Sequence, residues 1–273
     1  MLSAVQLLEN LLERARPLAR SETVALKNAQ GRVLAAPQTS SITVPPLDNS
    51  AMDGYAVRVA DVSVGIRLPV SQRIAAGQIG APLQPGTAAR IFTGAPIPQG
   101  ADAVLMQEDC VADDAAVTIN AAPHPGENIR RAGEDIVAGA EILPAGTRIG
   151  PAEMGLAASV GLAELPVLRR LTVACFFTGD ELVTPGQALA PGQIYNSNRY
   201  TLTGLVNGLG CELIDLGIVP DTLEATTDAV RHAASVADVV VTSGGVSIGE
   251  ADYVKAAVEA LGKIEMWKVA MKP

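Results

Sequence analysis

At 273 residues the chain exceeds what one hydrophobic core usually organises, and its apolar fraction of 48%, with only 3% aromatic residues, is ample for packed globular domains. Twenty Lys+Arg against 29 Asp+Glu give a net charge of -9, which argues against a nucleic-acid binder that relies on a basic face. Two histidines and three widely spaced cysteines argue against a histidine-rich metal site, a Ser-His-Asp triad and a CxxC motif; with no leader and no unbroken apolar window, a soluble cytoplasmic protein with no membrane partner is expected.

In chain order, residues 3 to 16 read as an amphipathic helix, with a Ser3/Gln6 capping box and Leu7, Leu8, Leu11 and Leu12 on one face. The stretch "PPLDNSAMDGYAVR" at 45 to 58 follows, with an Asn-Ser turn, then an Asp-Gly turn in which Gly54 supplies a positive φ, then a strand beginning at Tyr55. From about 47 to 130, short β-prone runs such as "RLPVSQRI", "AARIFTG" and "AAVTINA" alternate with Gly and Pro, the texture of a small all-β module. A short helix is expected at "PAEMGLAASVG".

From residue 171 the rhythm becomes β-α-β-α-β-α-β: "LTVACFF", "NRYTLTGLVNGLG", "CELIDLG", "TLEATTDAVRHAASV" capped by Asp221, "ADVVVTS", "DYVKAAVEALG" and "KIEMWKVAM". Apolar strands alternating with helices predict a parallel sheet covered by helices, in which Cys175 and Cys211 are buried thiols. Ligands of such sheets bind beyond the carboxyl ends of the strands. The loops there supply Asp180, Glu181, Asp221, Glu250 and Asp252, with Lys268 and Lys272 on one strand face, roughly 13 Å apart at about 3.3 Å per residue. That carboxylate rim with two lysines suits a magnesium-bridged phosphate ligand. "TSGGVSIG" carries neither the Lys-Ser/Thr of a P-loop nor GxGxxG order, and is also consistent with a simple strand-to-helix turn.

The motifs "PPLDNSAMDGYAVR", "IFTGAPIPQGADAV", "RRAGEDI", "TGDELVTPG", "GQIYNSN", "SGGVSIGEADY" and "WKVAMKP", in this order, resemble the MoeA-type molybdopterin molybdenumtransferases, a family that includes the gephyrin E domain. The resemblance implies a multidomain α/β plus β architecture. Its parts are an elongated mixed domain I from residues 1–46 and 131–170, an inserted all-β domain II at 47–130, and an incomplete parallel-sheet, molybdopterin-binding α/β domain III at 171–273. A C-terminal β domain IV is absent, so the sequence is expected to be a truncated form of a longer protein that does not itself insert metal.

The implied reaction is conversion of adenylylated molybdopterin and molybdate, with Mg2+, to molybdenum cofactor and AMP. It takes place in a homodimer with the active site at the subunit boundary, and a molybdopterin adenylyltransferase is a further possible partner. By the same resemblance Asp53, Thr93, Glu181 and Asp252 are catalytic, Glu181 and Asp252 hold magnesium, and Asp135, Asp221, Ser243, Gly244, Gly245, Ser247, Lys268 and Lys272 bind the pterin nucleotide. Two other readings remain at this point: an adenylyltransferase or nucleotide pyrophosphatase using the same α/β domain, and a non-catalytic dimeric scaffold.

Overall fold

The computed structural model describes residues 3–17, 20–244 and 253–264. The chain packs as two compact units: the first comprises 1–35, 148–150 and 164–273, and the second 36–147 and 151–163. The first unit opens with α1 (Ala4–Arg14), where the Ser3 hydroxyl accepts the Gln6 N–H and the Gln6 side chain accepts the Ser3 N–H, the reciprocal pair expected from the sequence. No residue of this helix is buried; Leu8, Leu11 and Leu12 of its apolar stripe are exposed. β1 (Ser21–Ala25) then leads into a turn around Gly31.

The second unit begins with β2 (Gln38–Thr39), β3 (Asn49–Ser50) and β4 (Gly54–Val57). β5 (Arg67–Ile74), β6 (Ala88–Ile91), β7 (Ala103–Met106), β8 (Cys110–Ala112) and β9 (Ala116–Ile119) follow, and the three runs singled out in the sequence fall on β5, β6 and β9. β10 (Ile129–Arg130), β11 (Glu141–Leu143) and α2 (Pro151–Ser159) complete it. β4 to β9 form one six-stranded sheet in the order β7-β4-β6-β5-β9-β8, antiparallel except for the β5–β6 pair. Side-chain alternation gives this sheet a core on each face. Tyr55, Val57, Leu105 and Val117 pack on one, while Ala56, Ile74, Ile91 and Val104 pack on the other.

Two local expectations in this unit need correction. Asn49 and Ser50 do not make a turn but pair as β3 with β10, Ser50 opposite Ile129 and Asn49 opposite Arg130. The turn comes just after, where the Ser50 hydroxyl donates to the Met52 carbonyl. Gly54 is buried and is not among the positive-φ glycines. It is glycine because β7 runs so close that an added Cβ would lie 1.8 Å from the Leu105 carbonyl oxygen.

Returning to the first unit, β12 (Glu164–Leu168) pairs antiparallel with β1 and buries Leu165 and Val167 completely. β13 (Thr172–Thr178), β14 (Leu182–Val183), β15 (Ile194–Tyr195), α3 (Ser197–Gly208), β16 (Glu212–Val219), α4 (Leu223–Val236), β17 (Val239–Ser243) and α5 (Tyr253–Leu261) follow. β16, β13 and β17 form an all-parallel sheet in that order. Its central strand buries Val173, Cys175 and Phe177 against α3, and Ala174 and Phe176 are likewise fully buried. Cys211 is only half-buried, so the expected burial holds for Cys175 alone of that pair. The expected last strand lies, from residue 265, outside the described residues. Among the described residues no helix is long and apolar enough to cross a membrane.

Candidate functional site

In the second unit, three motifs far apart in sequence are stitched together by backbone and carboxylate hydrogen bonds. The Asp48 carbonyl accepts the Ile97 N–H at 2.9 Å and the Ser50 carbonyl accepts the Gly94 N–H at 2.8 Å, which ties the 45–58 stretch to 91–104. The Asp48 carboxylate accepts the Ala132 N–H at 2.8 Å and an Arg131 Nη1–H at 2.6 Å, which ties the same stretch to 130–136. The Ala132 amide and the Arg131 guanidinium hold Asp48 below the usual carboxylate range.

At the centre of this knot Asp53 Oδ1 accepts two hydrogen bonds from Thr93, from its N–H at 2.8 Å and its hydroxyl at 2.9 Å. The Thr93 amide, then its hydroxyl, then the charge of Arg90, depress the Asp53 pKa, so this exposed carboxylate is ionised at neutral pH. Arg90 braces it from behind, donating to the Gly54 carbonyl at 3.0 Å and to Gln107 Oε1 at 2.6 Å while stacking on Tyr55 and Phe92. The sequence-expected pair Asp53 and Thr93 is therefore brought together. Asp135 is engaged separately, its two oxygens accepting from Arg130 Nη2 at 2.5 and 2.6 Å.

In the first unit those of the expected residues that are described, Glu181, Asp221, Ser243 and Gly244, lie at or just beyond the carboxyl ends of the parallel strands. β14 and β15 pair side by side, with the Ile194 N–H donating to the Glu181 carbonyl, so "TGDELVTPG" and "GQIYNSN" form one wall. Glu181 folds back over Gly179, its carboxylate within 2.7 Å of where a Cβ would stand. Asp180 Oδ1 accepts the Asp221 N–H at 3.4 Å, and Ser243 Oγ accepts from Asn198 Nδ2 at 2.8 Å. Gly244, at φ +107, lies so close to β13 that a Cβ would meet the Thr178 carbonyl oxygen at 2.1 Å.

Asp221 is not the cap of α4. Thr222 is, its hydroxyl accepting the Ala225 N–H, because Thr222 takes the extended backbone that a cap needs one residue later than expected. Asp221 Oδ1 is instead buried without a partner, as are Thr178 Oγ1 and Asn196 Nδ2. Buried polar groups are ordinarily hydrogen-bonded, so these three orphans, of seven among the described residues, leave polar capacity at that sheet edge that a ligand would satisfy. Thr178, Asn196, Asp48 and Arg90 were not singled out as site residues from the sequence. Only the presence of polar residues inside the quoted motifs, or beside them, offered a signal. Gly245, Ser247, Asp252, Lys268 and Lys272 lie outside the described residues. Among the described residues no three His, Cys, Asp or Glu side chains stand close enough to hold a metal ion by themselves. Asp180, Glu181 and Asp221 are nonetheless hard oxygen donors of the kind that hold magnesium through one or two carboxylates together with substrate phosphates, and the orphaned Asp221 oxygen fits that use.

Comparison with known proteins bears on both units. Residues 2–161 match the MoeA N-terminal region (domain I and II), and residues 174–273 match a probable molybdopterin binding domain. The chain is 44% identical to the molybdopterin molybdenumtransferase of Haemophilus influenzae, across 100% of this chain and 68% of that protein. It is also 44% identical to the protein of that name from Nostoc sp., across 97% of this chain and 62% of the relative. The chain thus spans about two thirds of the length of these relatives. The crystal structure of a molybdopterin biosynthesis MoeA protein from Pyrococcus horikoshii matches 100% of this chain and 70% of its own, with a TM-score of 0.83 at 33% identity.

Proposed function

This chain belongs to the MoeA family, the molybdopterin molybdenumtransferases of molybdenum cofactor biosynthesis, and from that membership we propose that it uses adenylylated molybdopterin and molybdate and releases AMP. The observation that carries this reading is the set of orphaned polar atoms at the carboxyl edge of β13 and β16, beside the close Gly244 turn. Glycine there lets the turn close against β13 at the Thr178 carbonyl, and Thr178, Asn196 and Asp221 gain partners from the bound nucleotide. Magnesium held by Asp180, Glu181 or Asp221 supplies screening of pyrophosphate charge. The chain's own contribution is orientation. Asn198 fixes Ser243, Asn196 fixes the start of α3, and Glu181 stands over Gly179 where a phosphate oxygen would approach.

Asp53 is the second half of the proposal. Held rigidly by Thr93 and kept ionised, it is an acceptor-only group suited to orienting a water or a protonated oxygen at the reacting centre. We place it at the boundary of a homodimer, with the family's three-domain reading of residues 1–46 plus 131–170, 47–130 and 171–273, in the cytoplasm and supplied by an adenylyltransferase. The exposed apolar stripe of α1 supports a second copy as partner. The test is AMP release from adenylylated molybdopterin, assayed with and without molybdate and magnesium, alongside reconstitution of an apo molybdoenzyme. AMP release that ignores molybdate and yields no active cofactor would instead favour a nucleotide pyrophosphatase.

A further inference from the structure

We propose that the first unit carries a second ligand site, at the opposite end of its parallel sheet, that takes a small amphipathic anion: a phosphate or carboxylate head on a short apolar body. A cleft of about 230 Å³ opens where the chain enters β13 and β16, lined by Arg16, Arg32, Arg169 and Arg170 together with Val33, Leu168, Leu171 and Cys211 among its apolar groups. Four guanidiniums in one cleft are unexpected in a chain of net charge -9.

Two of the four are neutralised. Arg32, only 8% exposed, donates to Glu22 and to the Leu168 carbonyl, and Arg169 makes a two-pronged pair with Asp238 at 2.8 and 2.9 Å. The other two are not. Arg16 donates only to the carbonyls of Glu13 and Ala15, and Arg170 reaches only the Gly210 carbonyl at 3.5 Å, so neither faces a carboxylate at ion-pair distance among the described residues. The cleft therefore keeps about two positive charges over an apolar lining, beside the left-handed turns at Gly31 and Gly210. That combination selects an anion with an apolar body over both inorganic phosphate and a neutral hydrophobe. The volume, below the roughly 300 to 1,000 Å³ of drug-sized sites, limits the body to a few carbons.

The cleft is separate from the candidate active site. Its lining residues precede Thr172 and Glu212, the first residues of β13 and β16, whereas the orphaned polar atoms lie at the far ends. The six residue steps from Thr172 to Thr178 span about 20 Å. A small occupant here does not reach the substrate edge, and it would tie the turn near Gly31 to the β12–β13 and α3–β16 links.

Calorimetric titration with hexyl phosphate and hexanoate tests the site, with inorganic phosphate and hexanol as controls. At least one of the two amphipathic anions should bind with one-to-one stoichiometry, at least tenfold tighter than either control, and should raise the melting temperature. Arg170→Gln and Arg16→Gln, both at exposed positions, should each weaken that binding about tenfold to hundredfold, the factor lost with one charge-assisted hydrogen bond, while circular dichroism remains unchanged. Excess AMP should leave the affinity unaltered. Binding that survives the double replacement, is matched by inorganic phosphate, is displaced by AMP, or is absent for both anions at millimolar concentration would overturn the proposal.

Discussion

Replacing Gly54 by alanine isolates the structural half of the Asp-Gly pair. The added Cβ would stand 1.8 Å from the Leu105 carbonyl oxygen and 2.8 Å from its carbon, whereas Cβ atoms essentially never approach within 3.0 Å. β7 or β4 must therefore retreat by at least 1.2 Å at this point. Both are backbone-paired along Gly54 to Val57, so no flexible side chain can absorb the shift. Overpacking of this kind costs about 1–3 kcal/mol, and each stretched ladder hydrogen bond adds about 1 kcal/mol, for a total near 3 kcal/mol. A domain of this size loses about 3–4 °C per kcal/mol, so the melting transition of the second unit should fall by about 10 °C in calorimetry. Cofactor synthesis should fall with it, because Asp53 immediately precedes β4 and Arg90 braces the Gly54 carbonyl beside it. A melting temperature within about 2 °C of the parent would refute the close-approach explanation.

Asp53→Ala should do the reverse, keeping the fold with a smaller fall in melting temperature than Gly54→Ala, because only two exposed Thr93 hydrogen bonds are lost, while reducing cofactor formation at least about hundredfold. Wild-type turnover or unfolding of that variant would each contradict the role given to the carboxylate. Glu181→Gln should raise the magnesium concentration needed for half-maximal AMP release; an unchanged requirement would remove Glu181 from the cation's surroundings. Asp238, lowered to about 2 chiefly by the Arg169 hydrogen bonds and then by the Thr172 amide, contributes stability that is fully present above its unfolded pKa of about 3.9 and is lost as pH falls through its folded value. The urea-midpoint difference between parent and Asp238→Asn should accordingly shrink between about pH 4 and pH 2, and a constant difference would show that the pair does not titrate as described. Gly155→Ala, at a helical position in α2 with nothing within 4 Å of the new Cβ, should stabilise by about 0.5–1 kcal/mol in denaturant titration.

What the sequence revealed of the fold was what neighbouring residues decide among themselves. The Ser3/Gln6 box starts α1 because both partners lie within one turn, and β5 falls at Arg67–Ile74 because its alternation is written in eight consecutive residues. The parallel sheet was legible in the same way, from three apolar runs separated by helices. The errors arose where a distant segment decides. Asn49 and Ser50 have turn composition, yet Ile129 and Arg130 take them into a ladder from some 80 residues away. The α1 stripe shows the reverse limit, since periodicity identifies an apolar face without identifying what covers it.

The candidate site divides along the same line. Glu181 was readable as a candidate from its loop at the carboxyl edge of the parallel sheet, whereas Asp53, in an Asp-Gly pair equally consistent with a turn, was singled out only by the family resemblance. The contacts that hold Asp53 were not legible: Thr93 was named through the resemblance, but its bond to Asp53 spans 40 positions, and Arg90, which reaches the Gly54 carbonyl across 36, was not singled out. Asp221 illustrates the consequence. From sequence alone a capping Asp and a ligand-facing Asp before a helix look identical. Only the adjacent Thr222 taking the cap frees the Asp221 carboxylate, and its buried, unpartnered oxygen then argues for a ligand over a fold role. The same reasoning separates the two halves of the Asp-Gly pair: Gly54 answers to the Leu105 carbonyl and so belongs to the sheet, while Asp53 rests on a loop threonine whose place its carboxylate helps to fix. One dipeptide thus couples the rigidity of a six-stranded sheet to the aim of a single charged group, and that coupling is what a site requiring sub-ångström placement demands of its scaffold.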